Sequence, residues 1–328
     1  GRRRIPPNSV MRGYKSNLFK SFAHMKKTSL MAMNYRKFQK SSEAPGAAAK
    51  AFQVRREFLK NKDYIENVKE TLGKFSTMES TMRNVLSEMP EVLEKEVLKA
   101  INGTNSKETR EIIATKLDKI KELVVGAMNS TYGGEYIFGG SETKKAPFKW
   151  DGTKLLYRGE DVDDDTEMAN FLDDPIYTDI GSGLKVNAGN IEKNTVFDSS
   201  KVGVELLGHG KNADGISKNL VVLIDKLAKE LRKDPINEDD IKKLTDQFVA
   251  SRQGLINATT NIGTEMNYLE KALDRMQITD LDMVKEINNI EYVPAEEAYT
   301  LWEEAKASYT AALKVADQIG RASCRERV

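Results

Sequence analysis

FLKNKDYIENVKETLGKFSTMESTMRNVLSEMPEVL, Phe58 to Leu93, decides the fold. Alternating steps of three and four residues pick out Phe58, Asn61, Ile65, Val68, Leu72, Phe75, Glu79, Met82, Leu86, Met89 and Leu93, and nine of these eleven are apolar. A spacing of about 3.5 residues belongs to helices packed as in a coiled coil, whereas a strand alternates every second residue. Upstream, Ser42-Glu43-Ala44-Pro45 supplies an N-cap serine and an early proline, followed by the alanines 47 to 49. From Pro45 to Met89 a helix would run on the order of 70 Å, too long for a compact globule. Pro90 then permits a kink or a new start, and Asn102-Gly103 reads as a break. A third helix is expected with Ile112, Ile113, Leu117, Ile120, Val124 and Met128 on one side.

A matching heptad lies towards the other end, through Ile262, Met266, Leu269, Leu273, Met276, Asp280, Met283, Ile287 and Ile290, with Asp280 its one polar member. Pro294 interrupts it. An alanine-rich helix follows through Ala298, Trp302, Ala305, Tyr309, Ala312 and Ala316, whose small residues let helices approach closely. Neither Met11–Gln39 nor Ala295–Asp317 carries enough large apolar surface to form a core alone, so each needs a partner. Between the arms, glycine, threonine and aspartate rise, and Lys154–Tyr157, Leu184–Val186 and Thr195–Phe197 stand between turn signals as short strand pieces. Helix resumes at Leu220–Leu231.

The fold class is therefore mainly α: a long antiparallel, coiled-coil-like helical rod from the N- and C-terminal arms, with an inserted small β-rich domain. The expected divisions are an assembly helix over 1–42, rod helices over 43–138, the insert over 139–215, rod helices over 216–294 and a second assembly helix over 295–317. The rod core is assigned to Phe58, Ile65, Val68, Leu72, Phe75, Met82, Ile262, Met266, Leu269, Leu273, Met276 and Ile287. The assembly interface is assigned to Tyr14, Leu18, Phe22, Met25, Ala298, Leu301, Trp302, Ala305, Tyr309 and Ala312.

Charged residues at 31% and a mean hydropathy of −0.54 describe a water-exposed surface, and no run approaches the roughly 18 apolar residues of a membrane-spanning helix. No cleavable secretory signal is visible. The net charge of +1 hides an asymmetry: Gly1 to Ser42 holds eleven Lys or Arg and no acid, while Glu160 to Asp179 holds nine acids and no base. Such a basic head reads as a solvated helix face or an address segment, with nucleic acid or a membrane surface as alternative partners. The single cysteine, Cys324, lies in Ile319–Val328 (IGRASCRERV), which reads like one frame of a sequencing adapter. Residues 318–328 are thus expected to be non-native and the native chain cysteine-free, which excludes a disulfide scaffold, a thiol nucleophile and cysteine-based zinc. Gly1 in place of an initiator Met suggests an incomplete gene or a processed chain.

No motif yields a catalytic, cofactor or metal site. Gly134, Gly139, Gly140 and Ser141 approach a phosphate-binding loop, but Gly140 stands where its lysine belongs. The glycines read instead as a turn, with Tyr132, Tyr136, Ile137 and Phe138 packing on the helices. Asp161, Asp163 and Asp165 alternate like a calcium loop, yet Thr166 replaces its glycine and Leu172 its bidentate glutamate, leaving an exposed acidic loop. His24 and His209 have no His or acidic neighbour at ligand spacing and read as surface or cap residues.

One stretch carries more. NSTYGGEYIFGGSETKKAPF (Asn129–Phe148) resembles the segment of hook–filament junction proteins, in the bacterial flagellin superfamily, where the rod helix gives way to the outer domain. YRKFQKSSEAPGAAAKAFQVR (Tyr35–Arg55) is similar to that family's N-terminal signature, with Ala44 replacing one acid. RIPPNSVMRGYKSNL (Arg4–Leu18) and EEAYTLWEEAKASYTAALKVADQ (Glu296–Gln318) also fit. Filament flagellins, the alternative, usually have an asparagine-rich signature where this chain has Ser41–Gly46 and lack the turn at Gly133–Gly140.

The resemblance implies a non-enzymatic structural subunit, secreted unfolded through the flagellar type III channel by an uncleaved signal. Its terminal segments would pair in the inner core of a tubular assembly, with the rod outside and the insert facing solvent. Implied partners are further copies of itself, hook protein, another hook-associated protein, flagellin and an export chaperone, with no nucleic acid and no membrane insertion. No cofactor is implied.

Overall fold

The structure, a computed structural model, describes residues 7–102 and 106–325. Residues 1–6 of the basic head, Gly103 of the expected break and residues 326–328 lie outside the described residues. The helices are α1 (Pro7–Asn34), α2 (Pro45–Ser87), α3 (Glu91–Ile101), α4 (Lys107–Met128), α5 (Asp165–Leu172), α6 (Gly203–Leu207), α7 (Leu220–Arg232), α8 (Glu238–Glu291) and α9 (Ala295–Arg325). Between α4 and α6 run the short strands β1 (Thr131–Tyr132), β2 (Glu135–Tyr136), β3 (Phe148–Trp150), β4 (Leu155–Tyr157), β5 (Glu160–Asp161), β6 (Tyr177–Thr178), β7 (Val186–Asn187), β8 (Asn190–Ile191) and β9 (Phe197–Asp198). The fold is mainly α with a small β-rich insert, as the sequence predicts. The chain forms two compact units, one from the described residues of 1–62 and 277–328, the other from 63–276.

In the first unit α1 packs against α9. The corners after α1 and after α8 are stitched together by an antiparallel bridge between Arg36 and Tyr292. There Lys37 N–H donates to the Glu291 carbonyl and Val293 N–H to the Tyr35 carbonyl, both at 2.7 Å. Arg55 pairs with Glu291 at 2.5 Å. The cap of α2 differs from expectation: Ser41–Glu43 forms a 3-10 turn, and Pro45 opens the helix with Ala48 N–H bonded to the Ala44 carbonyl. Proline suits that first position because its missing N–H would have no partner there.

The second unit holds the main core. Val68, Phe75 and Met82 are fully buried and recur every seven residues, as the heptad requires. The alternate series is corrected. Thr71, Met78 and Val85 are buried, one residue before Leu72, Glu79 and Leu86, which are only half-buried. α2 shares one core cluster with α3, α4, α7 and α8. Its buried stripe is accordingly wider and rotated from a two-helix seam. In α4, Ile113, Leu117, Ile120, Val124 and Met128 are buried, but Ile112 is 70% exposed and belongs to the outer face. Of the two outcomes Pro90 allows, a kink or a new start, the structure has the new start, with Pro90 at the N-cap position of α3; Asn219 caps α7 by accepting from the amides of Val221 and Val222. Two buried charges are paired here: Arg252 with Glu94, and Asp225 with Lys121 (3.0 Å) and the exposed Lys229 (2.9 Å). In the insert, β3, β4 and β5 form the one three-stranded sheet among the described residues, and the rest pair in twos. Leu155 and Tyr157 are buried, whereas Leu184 and Val186 are exposed and form no core.

Candidate assembly site

The residues expected at an assembly interface lie on the paired terminal helices. Ala298 and Ala305 are buried on α9, where small side chains admit a close neighbour. Leu18 and Met25 of α1, and Leu301, Trp302, Tyr309 and Ala312 of α9, are half-buried. Phe22 sets its ring 5.5 Å from that of Tyr309, although it and Tyr14 remain largely exposed. Thr28, buried on α1, turns its hydroxyl back to the carbonyls of His24 and Met25, satisfying a polar group that would otherwise be costly in the seam. Of the rod-core residues, Val68, Phe75, Met82, Ile262, Leu269 and Ile287 are buried; Phe58, Ile65, Leu72, Met266, Leu273 and Met276 are half-buried. Asp280 is half-buried, and its Oδ1 has no hydrogen-bond partner among the described residues.

Asn129–Phe148 is where α4 hands over to the insert. The Asn129 side chain spans that segment. Its amide donates to the Phe148 carbonyl at 2.8 Å, and its Oδ1 accepts the Phe148 N–H at 2.9 Å. Phe148 and Phe138 are buried together with Tyr157. Gly133, Gly134 and Gly140 take positive φ of 60°, 80° and 63°, as the turn reading requires. Gly73 of α2 matters for another reason: the Tyr132 hydroxyl sits where a Cβ would go. A carboxylate cluster in the insert joins residues that no local pattern relates. Asp174 accepts from Ser141 N–H at 2.8 Å, from Ser141 Oγ at 2.5 Å and from Arg158 at 2.5 Å. Burial pushes its carboxyl up, but these donors outweigh that and hold it below the ordinary carboxylate range.

Asp164 caps α5, while Asp163 accepts from Ser217 and burial raises its carboxyl. His209 is corrected: it does have an acidic partner, Asp165, whose Oδ1 lies 2.7 Å from Nδ1. That pairing joins residues 44 apart in the chain and has no local signal. His24 is exposed on α1. Among the described residues no group of three or more His, Cys, Asp or Glu is arranged to hold a metal, and no helix is long and apolar enough to cross a membrane.

Terminal helices paired antiparallel in one unit, and helices carrying a small β-rich insert in the other, make a mainly α fold that solved flagellar hook-associated proteins share. In sequence, the likeness is to flagellar hook-associated protein 3. The chain is 24% identical over 239 residues to that protein of Escherichia coli (strain K12), covering 70% of this chain and 69% of the relative. It is 34% identical over 108 residues to the Salmonella typhimurium protein of the same name, covering 33% and 34%. Among solved structures, a flagellar hook-associated protein from Vibrio parahaemolyticus superposes with a TM-score of 0.57 at 20% identity, over 76% of this chain and 100% of that one. Bacillus cereus FlgL superposes with 0.52 at 19% identity, over 72% and 99%. No family model matches the chain.

Proposed function

We propose that this chain is a structural subunit of the bacterial flagellum, placed outside the cell at the junction of hook and filament. The observation that carries the reading is the sequence likeness to flagellar hook-associated protein 3 along more than two thirds of the chain. The proteins it resembles are structural rather than enzymatic, and its partners are accordingly other axial components of the flagellum. In detail, the subunit leaves through the type III channel with an export chaperone and joins hook to filament by helical self-assembly. Residues 1–42 and 295–317 serve as assembly helices, 43–138 and 216–294 as the rod, 139–215 as the outward insert, and 318–328 are foreign to it. Antibody labelling of intact cells tests this. A short zone at the hook–filament boundary is the expected result, and label along the whole filament would make the chain a flagellin.

A second reading rests on the acid-free, basic α1, whose charges could meet nucleic acid or an anionic membrane. Such binding would weaken steeply with salt and vanish on deleting 1–40. Titration with duplex DNA and anionic vesicles at two salt concentrations separates it from the first.

A further inference from the structure

One face of α2 carries Asn67, Glu70, Thr71 and Lys74, polar residues spaced by three and four. With the hairpin β1–β2 and with β6 they line a cleft of about 310 Å³. The Tyr132 hydroxyl closes on α2 where Gly73 has no Cβ, so the hairpin reaches the helix one residue before Lys74. Two polar groups of this face are satisfied locally. Asn67 Nδ2 donates to the Asp179 carbonyl at 2.9 Å, and Thr71 Oγ1 to the Asn67 carbonyl at 2.8 Å. Lys74 differs. It is half-buried, yet its amine forms no hydrogen bond or ion pair with a described residue. Lys121 and Lys201, also half-buried in this unit, pair with Asp225 and Glu265, each at 3.0 Å. Burial holds the Lys74 pKa below the ordinary lysine value, although Glu135, Asp198 and Glu70 act to raise it.

An amine that is unpaired and partly withdrawn from water keeps more of its free-base form at neutral pH, and that form is the nucleophile. The cleft has room for a small molecule beside it. Charge selects among electrophiles: Glu70, Glu135 and Asp198 act on Lys74 from α2, β2 and β9, so anionic reagents are repelled and uncharged ones are not. Tyr132, Tyr136 and Tyr177 supply ring faces and hydroxyls on the cleft wall, suited to a hydroxylated carbonyl compound. We propose that Lys74 is a modification site whose amine condenses with a small uncharged aldehyde held in this cleft. The nitrogen lone pair attacks the carbonyl carbon, and the carbonyl oxygen takes up one proton from the nitrogen, giving a carbinolamine. That hydroxyl then leaves as water with the second nitrogen proton, and the C=N bond of an imine remains. Neither oxidant nor reductant is needed.

The test uses the full-length chain at pH 7 with glycolaldehyde, trapping the imine with cyanoborohydride and mapping labelled peptides by mass spectrometry. Lys60 and Lys69, exposed on the same helix, are the internal references. Lys74 is expected to label about fivefold faster than either, an advantage that shrinks as pH nears the ordinary lysine value of about 10.4. Glyoxylate, an aldehyde of similar size that carries a negative charge, should show no such preference. Glu135→Gln removes an exposed carboxylate that favours the charged amine. It should speed labelling of Lys74 by glycolaldehyde about twofold and leave Lys60 and Lys69 unchanged. Labelling of Lys74 no faster than of the two references overturns the proposal. Glyoxylate labelling with the same preference for Lys74 also overturns it, because the carboxylates would then not be selecting an uncharged partner.

Discussion

The Val293 N–H donates to the Tyr35 carbonyl at 2.7 Å, tying the residue just after α1 to the turn that precedes α9. Tyr35 itself takes a left-handed φ of 60°, so the chain reverses sharply there without a glycine. The terminal helices are thereby launched side by side from a common corner.

Their shared seam is thin, and ordering each residue costs about 1–2 kcal/mol of backbone entropy. Ala305→Asp puts a charge into the buried face of α9 and is expected to open the α1–α9 pair while leaving the 63–276 unit folded. Hydrogen exchange read segment by segment checks this: protection should fall in α1 and α9 and stay unchanged in α4 and α7. Equal loss everywhere would mean the two units unfold as one.

The corrected register of α2 has its own consequence. Met78 is fully buried and Leu72 only half-buried. Met78→Ala should therefore cost about 2–5 kcal/mol and Leu72→Ala clearly less. Urea denaturation of the two variants decides it, and the reverse order would restore the simple heptad.

Asn129 holds both backbone groups of Phe148. Asn129→Ala leaves them without their side-chain partner in a half-buried place, at about 1–3 kcal/mol. Proteolysis should then cut first between α4 and β3. A variant as resistant as the parent would show the clamp to be dispensable.

Asp174 gives a pH dependence with a definite sign. Its carboxyl titrates lower in the folded than in the unfolded chain, so its contribution is complete above the unfolded value of about 3.9. The contribution is lost as pH falls through the lower folded value. The stability difference between the parent and Asp174→Asn should thus be large at pH 7 and shrink below about pH 4. A constant difference across that range would mean that the Ser141 and Arg158 contacts do not depend on the charge.

The heptad through Val68, Phe75 and Met82 and the pairing need of the terminal segments were legible because helical periodicity is written locally. So were the break at Pro90 and the positive-φ glycines, where a single residue type settles the backbone. The displaced series at Thr71, Met78 and Val85 was not, because it depends on which sides of α2 the later helices come to cover. In α1 only the fold decides that Leu18, Met25 and Thr28 are covered in part or in full while Phe19 and Met33, one residue on from Leu18 and Ala32, stay exposed. The Asn129 clamp, the Asp174 cluster and the His209–Asp165 pair likewise join residues that no local pattern relates. Periodicity fixes how far around a helix an apolar face extends; the direction from which a neighbour arrives is fixed only when the whole chain has packed.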